Sequence, residues 1–289
     1  MWIKIALQEI NPEVLVAFRV SFGLLFGIAV IIIQRISFRY KFKEWLPLFV
    51  LGITNIAVPF FLISWGELSV NSSVAAILDS TVPLFTIFLA HFFLDDDKFT
   101  LPKLAGLVVG FSGVVVLLSK NNDSSSSTFL GQMAIILASV FYAGSAVYVR
   151  KTTQDFPGIL RSAGPLLSAS LLMWITVFIT EGNVQLPALS ITWGSLLFLG
   201  VIGSGLAFLL AFYLIHEIGP TRTSMVTYIF PLGGVILGVI FLHEQISREL
   251  IIGGSLILVS LVITNRQPSR KLSVTKVNSE DFDKDSLTG

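Results

Sequence analysis

The chain has 289 residues, of which 54% are hydrophobic and only 13% are charged, and its mean hydropathy is +0.83. Soluble domains carry about 25% charged residues, so this composition excludes soluble enzyme folds and indicates an integral membrane protein. The net charge of +1 argues against a nucleic-acid partner. The absence of cysteine excludes disulfides, thiolate catalysis and cysteine-ligated metals. We therefore expect the lipid bilayer as a partner and no nucleic acid.

Nine apolar runs, separated by short polar gaps, are each long enough to cross a hydrocarbon core of ~30 Å. They lack the period-two polarity of barrel strands, so all nine are predicted to be membrane-spanning helices. In chain order these spans are Pro12–Ile33, Glu44–Leu68, Val70–Leu94, Leu101–Ser119, Thr128–Arg150, Gly158–Thr180, Thr192–Ile215, Gly219–Leu242 and Glu249–Thr264. The polar segment 266–289 is predicted to be a disordered tail.

Basic residues are unevenly shared between the two sets of alternate gaps. One set, with the tail, holds fifteen lysines and arginines, and the other set holds Lys4, Lys120 and Arg248. Because basic residues accumulate in cytoplasmic loops, the richer set is predicted to be cytoplasmic. The carboxyl terminus is then cytoplasmic in the cell membrane, and the amino terminus of a nine-helix chain lies outside.

The two halves of the chain resemble each other at an offset of 148 residues. Between Trp45 and Val114 the offset gives 14 identities in 70 positions. The matched landmarks are Trp45 with Trp193, Gly52 with Gly200, Phe60 with Phe208, Pro83 with Pro231, and Gly106 with Gly254. The pattern predicts two inverted repeats, 1–119 and 120–265, since transporters often carry such repeats.

Motifs within these repeats resemble the drug/metabolite transporter superfamily, in particular its EamA-like family. They are Asn11-Pro12 followed by Arg19, and a proline, apolar run, acidic residue and glycine in each half. The paired residues are Pro83, Asp96 and Gly106, then Pro231, Glu244 and Gly254. The resemblance implies ten helices in two inverted halves, a central cavity, and alternating-access transport of small solutes such as amino acids.

The chain departs from that pattern in its first helix, which is reduced to a stub ending near Glu9. Trp2 to Glu9 resembles Tyr148 to Asp155, which ends a complete helix in the second half. We expect the helix that the resemblance implies to be missing from this sequence, through a misplaced start or a truncation.

Ionisable groups inside apolar runs usually face a partner or water, because burying them costs at least ~2.5 kcal/mol. Asp79 lies nine residues past Val70 and Arg19 seven past Pro12, which places them at similar depth on helices that start at the same face. We expect an ion pair or gate between them, or Asp79 as the ligand of a substrate ammonium or as a proton carrier. The alternatives are a neutral, hydrogen-bonded aspartate and an arginine that extends to the interface.

Repeat-related prolines mark where the backbone should break near mid-membrane. Pro83 and Pro231 free the carbonyls of Asp79 and Thr227, and transporter sites are commonly built where polar side chains meet broken helices. The residues expected to line the substrate site are Asp79, Asn55, Trp65, Ser80, Tyr142, Ser145, Thr227 and Tyr228, with Arg19, Pro83 and Pro231 in gating. Individually, such polar side chains also serve as interhelical hydrogen bonds.

The sequence predicts a non-enzymatic secondary transporter without cofactor or metal. Its histidines lack metal-ligand spacing, and it has no glycine-rich phosphate loop. Sparse charge in the cavity favours neutral or zwitterionic, amino-acid-like metabolites. An intramembrane enzyme that uses Asp79 and a channel are the alternatives, although no selectivity-filter motif is present. The sequence leaves a homodimer open.

Overall fold

The computed structural model describes residues 1–35, 42–94, 98–119, 126–153, 156, 158–182, 186–218 and 229–265, and all regular structure within them is helical. The α-helices are α1 (Trp2–Ala6), α2 (Pro12–Gln34), α3 (Phe42–Leu51), α4 (Val58–Gly66), α5 (Ser72–Asp79), α6 (Val82–Phe93), α7 (Leu101–Ser119), α8 (Ser126–Thr152), α9 (Gly158–Thr180), α10 (Ser190–Leu197), α11 (Ala207–Ile218), α12 (Ile229–Leu242) and α13 (Arg248–Asn265). Two π-helical segments, π1 (Gly52–Ala57) and π2 (Phe198–Leu206), connect α3 to α4 and α10 to α11.

Among the described residues, seven helical stretches are long and apolar enough to cross a membrane, and they confirm the first seven predicted spans. They are Pro12–Gln34, Trp45–Gly66, Ser72–Phe93, Leu101–Ser119, Thr128–Val149, Ile159–Thr180 and Ser190–Ala211. The described part of the eighth span is α12, and the ninth is α13. The predicted all-helical membrane bundle is therefore confirmed.

Contacts at the helix ends agree with spans that alternate in direction. Asn11 donates a hydrogen bond to Glu181, and the backbone N–H of Ser72 donates to Glu244, although each pair is about 170 residues apart. The charge pattern predicts all four residues to lie outside the cell. We call the end of the bundle that carries them the outer face.

Repeat-related glycines pack at equivalent helix crossings. A Cβ on Gly200 would lie 2.7 Å from the carbonyl oxygen of Arg19 in α2, and one on Gly52 would lie 2.3 Å from the carbonyl oxygen of Pro165 in α9. Each π segment therefore begins where its backbone presses against the long helix of the other repeat, and only glycine fits there. The largest buried cluster of the core surrounds these crossings, and it includes Val20, Phe60 and Leu199.

Candidate functional site

The backbone of the third span breaks beside Asp79. Helix α5 ends at Asp79, and α6 starts at Val82, with Pro83 in its first turn. The hydroxyls of Ser80 and Thr81 donate to the carbonyl oxygens of Ile77 and Leu78, each at 2.6 Å. These bonds satisfy two carbonyls at the end of α5, as helix ends inside a membrane require. The broken backbone expected around Pro83 is present in the structure.

Asp79 has no hydrogen-bond partner for its buried Oδ1 atom. The residue as a whole is half-buried. Buried polar atoms in proteins are almost always hydrogen-bonded, and the exceptions frequently have a functional reason. The carboxylate is therefore available to a group that the described residues do not supply.

Arg19 projects from α2 between groups from both repeats. Its Nε donates to Ser204 Oγ of π2 at 3.0 Å, and its Cζ lies 3.6 Å from the ring centroid of Phe60 in α4. A cation over an aromatic face gains about 0.5 to 2 kcal/mol. The guanidinium is thus held through its Nε by Ser204 and through its planar face by Phe60, and both of these neighbours are uncharged.

Tyr142 of α8 completes this group. The Arg19 guanidinium, the Asp79 carboxyl and the Tyr142 phenol are close enough to interact electrostatically. Among the described residues, however, no ion pair or hydrogen bond joins any two of the three heads. The direct pairing of Arg19 with Asp79, which was one of the arrangements that the sequence allowed, is not formed here, because Arg19 is turned toward Phe60 and Ser204.

The π segments shape the walls next to Arg19. In π2, Ser204 Oγ donates to the carbonyl oxygen of Leu199 five residues earlier, at 3.0 Å. In π1, Thr54 Oγ1 donates to the carbonyl oxygen of Val50 and accepts from Ser145 Oγ, both at 3.0 Å. Single π turns are frequent at functional sites. Here they occur at equivalent positions in both repeats.

The structure distributes the remaining predicted site residues among several roles. Asn55 is half-buried in π1, and Trp65 of α4 is 40% exposed. Ser80 and Ser145 are buried, and each hydroxyl is already used as a donor within the protein. Pro231 is buried in the first turn of α12. Thr227 and Tyr228 lie outside the described residues.

A second polar group lies at the outer face between the repeats. The carboxylate of Glu244, which follows α12, accepts hydrogen bonds from the backbone N–H groups of Ser72 and Ser73 and from the Ser73 hydroxyl. Glu67, only 5% exposed, accepts a hydrogen bond from Ser72 Oγ at 3.0 Å. Burial raises the pKa of Glu67, which lies between two spans, although the Ser72 hydroxyl acts in the opposite direction.

Sequence reasoning missed two contributors to the site. Phe60 is one apolar residue among many, and its position over a guanidinium follows only from tertiary packing. Gly203 gave no signal of its own as a single residue. The repeat offset did carry information about Gly203, because it aligns this glycine with Asn55.

Comparisons with known proteins agree with this architecture. The chain matches the EamA-like transporter family over residues 1–119 and 129–266. It is 24% identical over 273 residues to a Bacillus subtilis protein named Uncharacterized transporter YoaV, with 93% of this chain and 92% of that protein covered. It is 28% identical over 219 residues to the Escherichia coli K12 protein named Uncharacterized inner membrane transporter YedA, covering 74% of this chain and 69% of that protein.

A further relative, from Streptantibioticus cattleyicolor, is named Probable terminal-alkyne amino-acid exporter. It is 25% identical over 231 residues, covering 77% of this chain and 74% of the relative. One solved crystal structure superposes with a TM-score of 0.66 at 21% identity, covering 91% of this chain and 92% of that one, and it shares the fold. The chain is a multi-pass membrane protein that belongs to the EamA-like transporter family.

Proposed function

We propose that this protein is a secondary transporter that moves small neutral or zwitterionic, amino-acid-like metabolites by alternating access. The observation that carries the proposal is the carboxylate of Asp79, which lies at a helix break inside the bundle without a hydrogen bond to its buried oxygen. A desolvated, unpaired carboxylate is an efficient ligand for an ammonium group, because a charge-assisted hydrogen bond contributes about 1.5 to 3 kcal/mol.

Tyr142 and Asn55 are the neighbours best suited to contact the same solute. Both are half-buried, and no hydrogen bond between described residues uses either side chain. We also propose that Trp65 contributes an aromatic surface. The name of the Streptantibioticus cattleyicolor relative supports an amino-acid-like cargo, since about a quarter of the aligned residues are identical.

Two roles of Asp79 remain distinct within this proposal. It binds the substrate ammonium in the first, whereas in the second it carries a proton that drives transport. The absence of an ion pair between Arg19 and Asp79 is compatible with both roles, because an unpaired carboxylate inside a bundle either binds another cation or takes up a proton. A channel or an intramembrane enzyme would use the same carboxylate differently. We propose no catalytic activity and no cofactor.

Counterflow in sealed proteoliposomes tests the function. Vesicles that contain the purified protein are loaded with each unlabelled proteinogenic L-amino acid, and entry of the labelled form is followed. We expect transient accumulation above equilibrium for at least one amino acid, with the solute recovered unaltered. A channel equilibrates the solute without such an overshoot, and an enzyme returns a changed product.

Asp79→Asn in the same assay separates the two roles. If Asp79 binds the ammonium, the variant loses about tenfold or more in apparent affinity. If it carries a proton, counterflow persists and only pH-driven uptake is lost. Glu13→Gln is the matched control, because it makes the same change from acid to amide in the first turn of α2, away from the helix break at Asp79. Normal binding, counterflow and pH dependence in Asp79→Asn would contradict the assignment of the site.

The orientation and partners belong to the same proposal. We propose a carboxyl terminus in the cytoplasm, a small-molecule substrate and the lipid bilayer as partners, and no nucleic acid. Chemical cross-linking in native membranes tests whether the protein also forms a homodimer.

A further inference from the structure

The donors of Arg19 are only partly used. A guanidinium has five N–H donors in a planar fork. The Nε–H bonds to Ser204 and the face lies on Phe60, but no described residue accepts a hydrogen bond from the Nη groups. Leaving charged donors unpaired inside a bundle is costly. The Nη groups of Arg19 are therefore suited to bind an anion, and the described part of the chain does not provide one.

Asp79 does not serve as that anion. The two charges are close enough to influence each other, yet no ion pair joins them, and Asp79 keeps its own unpaired oxygen. An arginine and an aspartate that were placed only to neutralise each other would form a direct, bidentate contact. Their separation leaves one free cationic head and one free anionic head in the same buried region. A molecule with both charges complements this arrangement.

Gly203 leaves room beside the free edge of Arg19. A Cβ built on Gly203 would lie 4.0 Å from Nη2 of Arg19 and 3.8 Å from the carbonyl oxygen of Phe198, and no closer atom surrounds it. Gly203 is half-buried, and the repeat offset places it opposite Asn55 of π1. The second repeat therefore has no side chain at the point where the first repeat has a polar one.

We propose that Arg19 and Gly203 form a carboxylate subsite, in which the Nη groups of Arg19 bind the substrate carboxylate within the space left by Gly203. Ser204 and Phe60 are positioning residues, because they fix the guanidinium through Nε and through its face. The inference rests on the proposed function and narrows it. The substrate must carry a free carboxylate as well as an ammonium group, which excludes simple amines, amino alcohols and amino-acid amides.

The alternative is a purely structural Arg19, held by Phe60 and Ser204 to join the two repeats. That role requires the cation–π contact and the Nε hydrogen bond but makes no use of the Nη edge. A structural arginine would therefore leave the preference for carboxylate-bearing solutes unchanged when the Nη edge is blocked. Selectivity between an acid and its amide distinguishes the two roles.

The experiment compares each transported L-amino acid with its carboxamide as unlabelled competitors of counterflow. For the wild-type protein we expect the acid to compete about tenfold or more better than the amide, since a charge-assisted contact is at stake. Gly203→Leu places a side chain beside Nη2, and Arg19→Lys replaces the fork by a point charge. Both variants should lose most of this preference.

Ser204→Ala tests the positioning role without filling the space beside Gly203. We expect it to raise the KM for the acid several-fold, while kcat and the competition by the amide change little. Gly144→Leu is the matched control for Gly203→Leu, because no atom surrounds a Cβ on this exposed glycine of α8. Thermal unfolding in detergent reports whether each variant is folded. If Gly203→Leu fails to fold, Arg19→Lys and Ser204→Ala decide the outcome.

The outcomes separate the subsite from the function. Unchanged preference for the acid in folded Arg19→Lys and Gly203→Leu would overturn the subsite and leave the transporter proposal standing. Equal competition by acid and amide in the wild-type protein would overturn it as well. A wild-type protein that exchanges no amino acid would remove the proposed function, and the subsite with it.

Discussion

Phe60 and Phe208 stack on each other, with ring centroids 6.3 Å apart and an interplanar angle of 17°. They are separated by 148 residues, which is the offset that aligns the two halves of the sequence. When two copies of a motif are related by a twofold axis, equivalent residues meet where the axis passes between them. The contact is therefore what two inverted repeats produce at their interface, and the guanidinium of Arg19 lies against one of the two rings.

The helix crossings on either side of this stack lead to a prediction about Gly200. A Cβ there would lie 2.5 Å from Cβ of Phe22 and 2.7 Å from the carbonyl oxygen of Arg19. Both atoms are fixed to the backbone of α2, so they can move away only if the helix itself shifts. We expect Gly200→Ala to lower the free energy of unfolding by about 1 to 3 kcal/mol. Thermal unfolding in detergent measures the loss.

Gly194→Ala is the control for this substitution, because no atom lies within 4 Å of a Cβ at that position of α10. It should be neutral or stabilise the protein by up to about 1 kcal/mol, since alanine favours a helix over glycine. Equal melting temperatures for the two variants would show that the crossing at Gly200 is looser than the contacts indicate.

The amount of structure that could be predicted from sequence differs between the fold and the site. Hydropathy gave the spans, since helix length is dictated by bilayer thickness, and Asp79 was found because an acidic residue is rare in such a run. The π segments could not be predicted. Glycines such as Gly52 and Gly200 indicate that two helices approach closely, but they do not indicate that the backbone hydrogen bonds change from α-helical to π-helical. The contact of Arg19 with Phe60 depends on packing between helices far apart in sequence.

The orientation of the bundle is open to direct labelling, because the chain contains no cysteine. A single cysteine at Ser69 should react with an impermeant maleimide in intact cells, whereas a cysteine at Ser37 or Ser279 should react only after the membrane is permeabilised. The excess of basic residues on the side of Ser37 is the reason. Ser126 provides a second external position. Labelling of Ser69 and Ser37 from the same side would end the inverted-repeat topology.

We predict that Glu244 holds the outer face closed. This residue accepts hydrogen bonds from the first turn of α5 in the other repeat, where helix backbone N–H groups otherwise have no partner. We expect Glu244→Ala to cost about 1 to 2 kcal/mol of stability, as loss of a helix cap does. It should also speed maleimide labelling of a cysteine placed at Ser73.

The neighbouring exposed residue Gln245 supplies the control for this experiment. Gln245→Ala should leave both stability and the labelling rate unchanged. If Glu244→Ala labels no faster than Gln245→Ala, then Glu244 caps α5 without limiting the opening of the outer face.

Glu67 gives the outer face a dependence on pH. Burial raises its pKa above the ordinary value in the folded protein, so the folded state holds a proton that the unfolded chain releases. Folding is then most favoured below the unfolded pKa, and this contribution is lost as the pH rises through the folded pKa. The charged groups that act on Glu67 are the amino group of Met1, Lys4 and Glu244.

We expect the melting temperature of the wild-type protein to rise on acidification from neutral pH toward the unfolded pKa. Glu67→Gln should reduce this rise, because a neutral amide does not titrate. An identical pH dependence in Glu67→Gln would assign the effect to other groups and would show that Glu67 is solvated in the folded protein.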